Sequence, residues 1–257
     1  MSLRRVCTVA TRVLVLGLAV LIVPACKKKE DTAPHITNNF TPLFDAGSVP
    51  QFPLMVLEFD RALDPATVTN ANIVLYLTDP ITGIHTTPFG GGTTVKYLDG
   101  SFQVIITNNA AFATSKEYAV VIFPELTSDV GTPIGALPTG SIALRFTTAA
   151  ADHPERPTFT NPVKVAGGGP GEIVWQWSSA QEGAPLADIG ATYDLFRATA
   201  TDGQDLFGTK TSPGTPPPNF TTTGLTPGAT YFFRMIVTDN FGNVTITSEF
   251  SAAANGP

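Results

Sequence analysis

Three histidines, two short acidic loops, a pair of near-neighbour tryptophans and two cysteines are the residues of this 257-residue chain to which chemistry could attach. His35, His85 and His153 stand far apart among turn residues. No Cys/His or His/His spacing supplies the three or four convergent ligands that zinc needs. No Gly-x-Ser-x-Gly elbow nominates a nucleophilic serine. Paired carboxylates for sugar hydrolysis are defined by distance across space, which one sequence leaves open. Gly90-Gly91-Gly92 and Gly167-Gly168-Gly169 lack the Lys-Ser/Thr and following helix of a phosphate loop, and read as strand connections. Asp202-Gly203-Gln204-Asp205 and Asp239-Asn240 with Asn243 offer loop oxygens, so Asp202, Asp205 and Asp239 are candidate ligands for calcium, a cation that takes six to eight oxygens. The same residues also suit tight turns for conformational reasons alone. Trp175 and Trp177 share strand parity with Ile173, which assigns them to a core, with Trp177 the firmer of the two. Exposure of Trp175 on a flat sheet face would instead favour a carbohydrate-binding accessory protein that serves a separate secreted enzyme. No catalytic centre and no cofactor site emerge.

The elements that must position these residues are strands. Met55, Leu57 and Phe59 alternate with Val56 and Glu58; Ile73, Leu75 and Leu77, then Phe102, Val104 and Ile106, then Tyr118, Val120 and Ile122, then Ile142, Leu144 and Phe146 repeat the pattern. Side chains two apart share one face of a strand, so each triplet can line a core. Asp99-Gly100 marks a tight hairpin, since positive backbone angles suit both residues. Residues 60–72 hold at most one helical turn. A small and polar stretch, residues 149–154, ends the first half. Beyond it, Tyr193 with Leu195, then Tyr231 with Phe233, Met235 and Val237, then Val244 with Ile246 continue the alternation. Phe207, Phe220 and Phe241 sit near turns and are expected to plug the ends of the fold. The run Pro216-Pro217-Pro218 reads as a loop. Short strands separated by Gly, Pro, Asn and Asp clusters indicate an all-β sandwich architecture.

Composition agrees. The chain carries 23 glycines and 22 prolines, yet 43% of it is hydrophobic and 17 residues are phenylalanine, which is enough to bury a core. Arg4, Arg5 and Arg12 precede or open an apolar run, Val13 to Val23, that ends at Pro24-Ala25-Cys26 and Lys27-Lys28-Lys29. A basic start, a short apolar run and a small residue before the cut mark a secretory signal peptide. The run falls short of the roughly 20 apolar residues of a spanning helix. Removing residues 1–25 takes away three arginines and no acid, so the formal charge goes from −6 to −9. Such acidity argues against nucleic acid as a partner, which needs a basic footprint. Cys7 would leave with the leader, and Cys26, alone, could form no intramolecular disulfide.

Ala25-Cys26 resembles the lipobox of bacterial lipoproteins, with Pro24 a departure from its usual pattern. The resemblance implies cleavage before Cys26 and lipidation of that cysteine. Lys27 in place of aspartate implies delivery to the outer membrane. Residues 36–149 resemble the bacterial Ig-like domain of S-layer and other surface proteins, through Thr41-Pro42, Gly47-Ser48-Val49-Pro50, LEFDRALDPATVTNANIVL, KYLDGSFQVII, KEYAVVI, SDVGTPI and LRFTT. Phe112 stands where that family more often has leucine. Residues 155–252 resemble a fibronectin type III domain, through EIVWQW at 172–177, ATYDLFR at 191–197 and LTPGATYFFRM at 225–235. There the resemblance makes Trp177 the core tryptophan and places Tyr193 at the start of the third strand. Leu225 and Tyr231 then form a corner in which the tyrosine hydroxyl bonds to nearby backbone.

The expected order is therefore a signal peptide at 1–25, a lipidated tether at 26–35, an Ig-like domain at 36–149, a linker at 150–156 and a fibronectin type III-like domain at 157–254. Both families are antiparallel β-sandwiches without a fixed catalytic site. The expected protein is not an enzyme. It is a lipoprotein of the cell envelope that presents two tandem modules for structural, adhesive or protein- and glycan-binding roles, with the membrane reached through its lipid. A calcium-stiffened spacer is the other alternative. Three Asn-x-Thr sequons, at Asn39, Asn219 and Asn243, imply no glycan in a bacterial lipoprotein. The linker permits either a stiff rod or a hinge.

Overall fold

The computed structural model describes residues 33–257, apart from 80–82, 84, 86, 136–141, 154, 183–185, 188–189 and 214–219. Nine strands build the first half: β1 (Ile36–Thr41), β2 (Ala46–Val49), β3 (Met55–Phe59), β4 (Ile73–Leu77), β5 (Thr87–Pro88), β6 (Thr93–Leu98), β7 (Gln103–Asn108), β8 (Glu117–Ile122) and β9 (Ile142–Thr148). They pair as one sheet in the order β1-β3-β7-β6 and a second in the order β2-β9-β8-β4-β5. Between the sheets lies a core of Met55, Leu57, Phe59, Val104, Ile106 and their partners, with Phe112 fully buried inside it. The Phe112 ring stacks on Tyr118 at 4.3 Å and meets Phe89 edge-on at 5.0 Å.

The second half comprises β10 (Val163–Val165), β11 (Ile173–Gln176), β12 (Gln181–Glu182), β13 (Leu186–Ala187), β14 (Thr192–Ala198), β15 (Lys210–Thr211), β16 (Phe220–Thr222), β17 (Thr230–Thr238), β18 (Val244–Ile246) and β19 (Phe250–Ala253). Strands β10-β11-β16 form one sheet; β15-β14-β17-β18 form the other, with β19 also on β17. Ile173, Trp175, Trp177, Tyr193, Leu195, Phe233 and Met235 fill the space between them. The fold is an all-β pair of sandwiches, as the alternation implies. A single 3₁₀ turn at Pro65–Thr67, capped by the Asp64 carboxylate on the Ala66 N–H, is the one helical turn of residues 60–72.

The sandwiches are neither beads on a rod nor a loose hinge. Val56 on β3, Leu98 on β6 and Ile105 on β7 face away from the first core, while Phe196 on β14 and Ile236 on β17 face away from the second. All five are nearly inaccessible to solvent and, with Leu206, form a third apolar cluster. Two sheets thus pack back to back, and residues 33–257 form one compact unit of four β-layers. Polar bonds ring the cluster. The Gly100 N–H donates to the Asp202 carbonyl at 3.1 Å, and the Val244 N–H donates to the Phe52 carbonyl at 2.7 Å. The Gln103 amide accepts from the Leu206 N–H at 2.9 Å and donates to Asp205 at 2.6 Å. Asn243, itself buried, accepts from the Phe52 N–H at 3.0 Å and donates to the His153 carbonyl at 3.1 Å. The linker is pinned as well: the His153 N–H donates to Gln51 at 2.6 Å. Arg156 lies 4.1 Å over the Phe52 ring, where burial draws its guanidinium pKa down from the usual value.

Three local expectations change. The β6–β7 hairpin exists, but its loop spans residues 99–102, and the left-handed residue is Phe102 rather than Asp99 or Gly100. Gly100 is needed for another reason: a Cβ there would sit 2.6 Å from the Gly203 Cα of the other sandwich. Ile142 leaves the core, because a bulge opposite Val120–Val121 turns Ala143 inward in its place. Of the three phenylalanines expected to plug the ends, Phe220 packs on the second core. Phe207 instead packs on the cluster between the sandwiches, and Phe241 stays 43% exposed, stacked on His153 at 3.5 Å.

Candidate binding cleft

Two lengths of chain build a concavity of the second sandwich: the 199–209 loop that leaves β14, and the strand β16 on the opposite sheet. The loop is held by its far side. Asp202 pairs with Lys96 of the first sandwich at 3.0 Å and with the buried guanidinium of Arg234. Arg234 also reaches the Gln204 amide at 3.2 Å and the Thr247 carbonyl at 3.3 Å, so every one of its nitrogens is engaged. Leu206 anchors the loop in the cluster between the sandwiches. With one flank fixed in this way, the other becomes a firm wall.

That wall faces a cavity of about 540 Å³, lined by Leu195, Asp205, Gly208, Thr209 and Thr211. Phe220, Thr221, Thr222 and Thr223 line it as well. A second cavity of about 480 Å³, lined by Gly100, Ala198, Thr199, Ala200 and Tyr231, shares Arg197 and Gly203 with it. Arg197 thus lines both cavities. It sits on the core-facing parity of β14 at the strand end, where its exposed guanidinium lies over the Tyr231 ring at 5.5 Å. No carboxylate pairs with it among the described residues. Asp205 Oδ1 is taken by Gln103 and by the Phe207 N–H, while Oδ2 lies so close to Gly208 that a Cβ there would approach to 2.6 Å. Arg197 carries no signal in the sequence beyond a charged residue on a core-facing strand position, a parity violation that could have flagged it.

The residues singled out from sequence are dispersed. Asp202 and Asp205 share the loop but are committed to Arg234, Lys96 and Gln103, while Asp239 ties the β17–β18 turn by accepting from the Phe241 and Asn243 N–H groups at 2.8 Å each. No group of three or more His, Cys, Asp or Glu side chains able to hold a metal occurs among the described residues. His35 contacts Asp60 at 3.4 Å and His85 contacts Thr78 at 2.9 Å, each far from His153 in sequence. Trp175 and Trp177 are both buried, with the Trp175 indole N–H donating to Thr222 at 3.0 Å, so neither is a platform for sugar stacking. The Tyr193 hydroxyl accepts from the Ala180 N–H at 2.7 Å. The Tyr231 hydroxyl accepts from the Thr226 N–H at 3.0 Å, one residue beyond the buried Leu225. Of the sequons, Asn243 is buried and Asn39 donates to Glu58 at 2.8 Å. Cys26, Pro216–Pro218 and Asn219 lie outside the described residues.

Residues 30–148, a little under half the chain, match the family model of the bacterial Ig-like domain. No curated protein matches the chain. Among solved structures, domains 1–6 of the surface layer protein SbsC pair with it at 13% identity and a TM-score of 0.34, over 88% of this chain and 26% of that one. The N-terminal part of the bacterial S-layer protein SbsC pairs at 13% identity and 0.32, over 86% and 44%. The FN1–FN3 domains of chicken CNTN1 pair at 10% identity and 0.31, over 87% and 69%. The chain thus spans about a quarter of the first of these structures.

Proposed function

We infer that this chain is a non-catalytic bacterial cell-envelope protein, anchored by lipid on Cys26, that presents a bacterial Ig-like domain and a fibronectin type III-like domain to a partner outside the cytoplasm. The observation that carries the reading is the family match over residues 30–148, placed directly after a leader whose residues, from Arg4 to Cys26, follow the lipoprotein pattern. The fibronectin type III assignment is supported by the Leu225–Tyr231 corner, whose hydroxyl takes the Thr226 N–H. The four-layer block would display its cleft and loops rigidly, and the anchor would raise their local concentration. Lys27 after the lipidated residue favours the outer membrane. An enzyme is not favoured: the buried polar pairs Arg234 with Asp202 and Asn243 with Asp239 are consumed in packing.

The test is fractionation and protease shaving of cells that express the wild-type chain or Cys26→Ala. A cell-bound wild type and a released variant support the reading. Identical behaviour of the two chains overturns the anchor.

A further inference from the structure

The cleft around Arg197 combines features that packing does not require. The Arg197 guanidinium lies 5.5 Å from the centre of the Tyr231 ring and is left open to solvent, with no acidic partner among the described residues. Such a fork matches a carboxylate with two parallel hydrogen bonds. The same cavity is lined by Thr209, Thr211, Thr221 and Thr223, whose hydroxyls can each donate and accept. Asp205 adds an acceptor oxygen beside Gly208, where the lack of a side chain keeps it uncovered. A carboxylate in the wall opposes a ligand that is only anionic. One cation, one acceptor and a rim of hydroxyls fit a ligand that carries a carboxylate and many hydroxyls together.

We propose that this cleft binds an acidic polysaccharide, with Arg197 taking the carboxylate of a uronic acid unit and the threonines and Asp205 taking ring hydroxyls. The assignment deepens the envelope reading and rests on it for the polymer within reach. Recognition is by charge and hydrogen bonding and not by stacking, since both tryptophans are buried. Arg197 lines two cavities, about 540 and 480 Å³, each with room for sugar units. The protein as a whole is acidic, at −6, so attraction is local to the cleft. Binding should therefore be specific to the fork and weaken with added salt.

The experiment is calorimetric titration of the full chain, purified in detergent, with trigalacturonate, neutral galactotriose and tetraglutamate. The proposal expects trigalacturonate to bind, and both other probes to bind at least about tenfold more weakly. Arg197→Gln should lose about tenfold or more in affinity while melting as the wild type does, and Arg197→Lys, which keeps the charge without the fork, should fall between the two. Lys164→Gln, on the exposed strand β10, should bind as the wild type does. Absence of trigalacturonate binding at millimolar concentration overturns the proposal, as does equal binding by Arg197→Gln. Tetraglutamate binding as tightly as trigalacturonate shows that the site reads charge alone, and overturns the glycan assignment. A chain that is cell-bound through Cys26 but binds no sugar removes the cleft and keeps the anchor; the opposite pair of results removes the anchor and keeps the cleft.

Discussion

Ile236→Ala separates a fused block from two independent sandwiches. Ile236 lies mid-strand on β17 and points away from its own core, yet it is 4% exposed because Val56, Leu98 and Ile105 of the other sandwich cover it. The substitution removes three carbons at about 0.8 kcal/mol each, so about 2.4 kcal/mol of transfer free energy. The cavity left between two stiff sheets raises the cost to about 3 kcal/mol. For a unit of this size each kcal/mol lowers Tm by about 2–4 °C, which gives a fall of about 6–12 °C. Differential scanning calorimetry of residues 33–257 should show one cooperative transition that shifts as a whole. Val163→Ala, at a position 56% exposed, should move it by less than about 0.5 kcal/mol. A loss below about 1 kcal/mol in Ile236→Ala, or two separate transitions of which only one moves, would refute the reasoning.

Further outcomes follow from the same contacts. Gly100→Ala places a Cβ 2.6 Å from the Gly203 backbone, where nothing flexible can yield, so denaturant titration should show a loss of about 1–3 kcal/mol. Asp202→Asn leaves Arg234 buried without its counter-charge and should destabilise the protein in EDTA as much as in millimolar calcium; a loss seen with calcium alone would make Asp202 a ligand instead. The Arg145 side-chain hydrogen bond holds the Asp45 carboxyl below its ordinary 3.8, so its small contribution is present above that value and is lost as pH falls through the lower, folded value. An NMR titration should place the Asp45 midpoint below 3.8 in the wild type and return it to the ordinary value in Arg145→Gln.

Alternation along the strands was enough to expose the two cores, because Met55, Leu57 and Phe59 or Tyr231, Phe233 and Met235 follow the period of two that a half-buried strand imposes. The back-to-back stack was present in the same strands but spoke more quietly. Met55-Val56-Leu57, Val104-Ile105-Ile106 and Met235-Ile236-Val237 are apolar at both parities, which a sheet with one wet face does not need. Gly100 looked like a turn residue because local chemistry cannot reveal that another sandwich passes within contact of it. Ile142 looked inward because a bulge changes parity without leaving a mark in composition. Asp202 and Asp205 looked like free ligands because their partners, Lys96, Gln103 and Arg234, lie 30 or more residues away along the chain. The cleft was the least legible feature, since Arg197, Asp205 and the threonines of β16 meet only once both sheets are folded.

Small-angle X-ray scattering of residues 33–257 tests the stacked arrangement most directly. A four-layer block of that length predicts a radius of gyration of about 17 Å. Two sandwiches of about 13 Å each, set end to end about 40 Å apart, would give about 24 Å. A value near 17 Å with a single-peaked distance distribution is the expected result. A value near 24 Å, with a second maximum in that distribution, would contradict it.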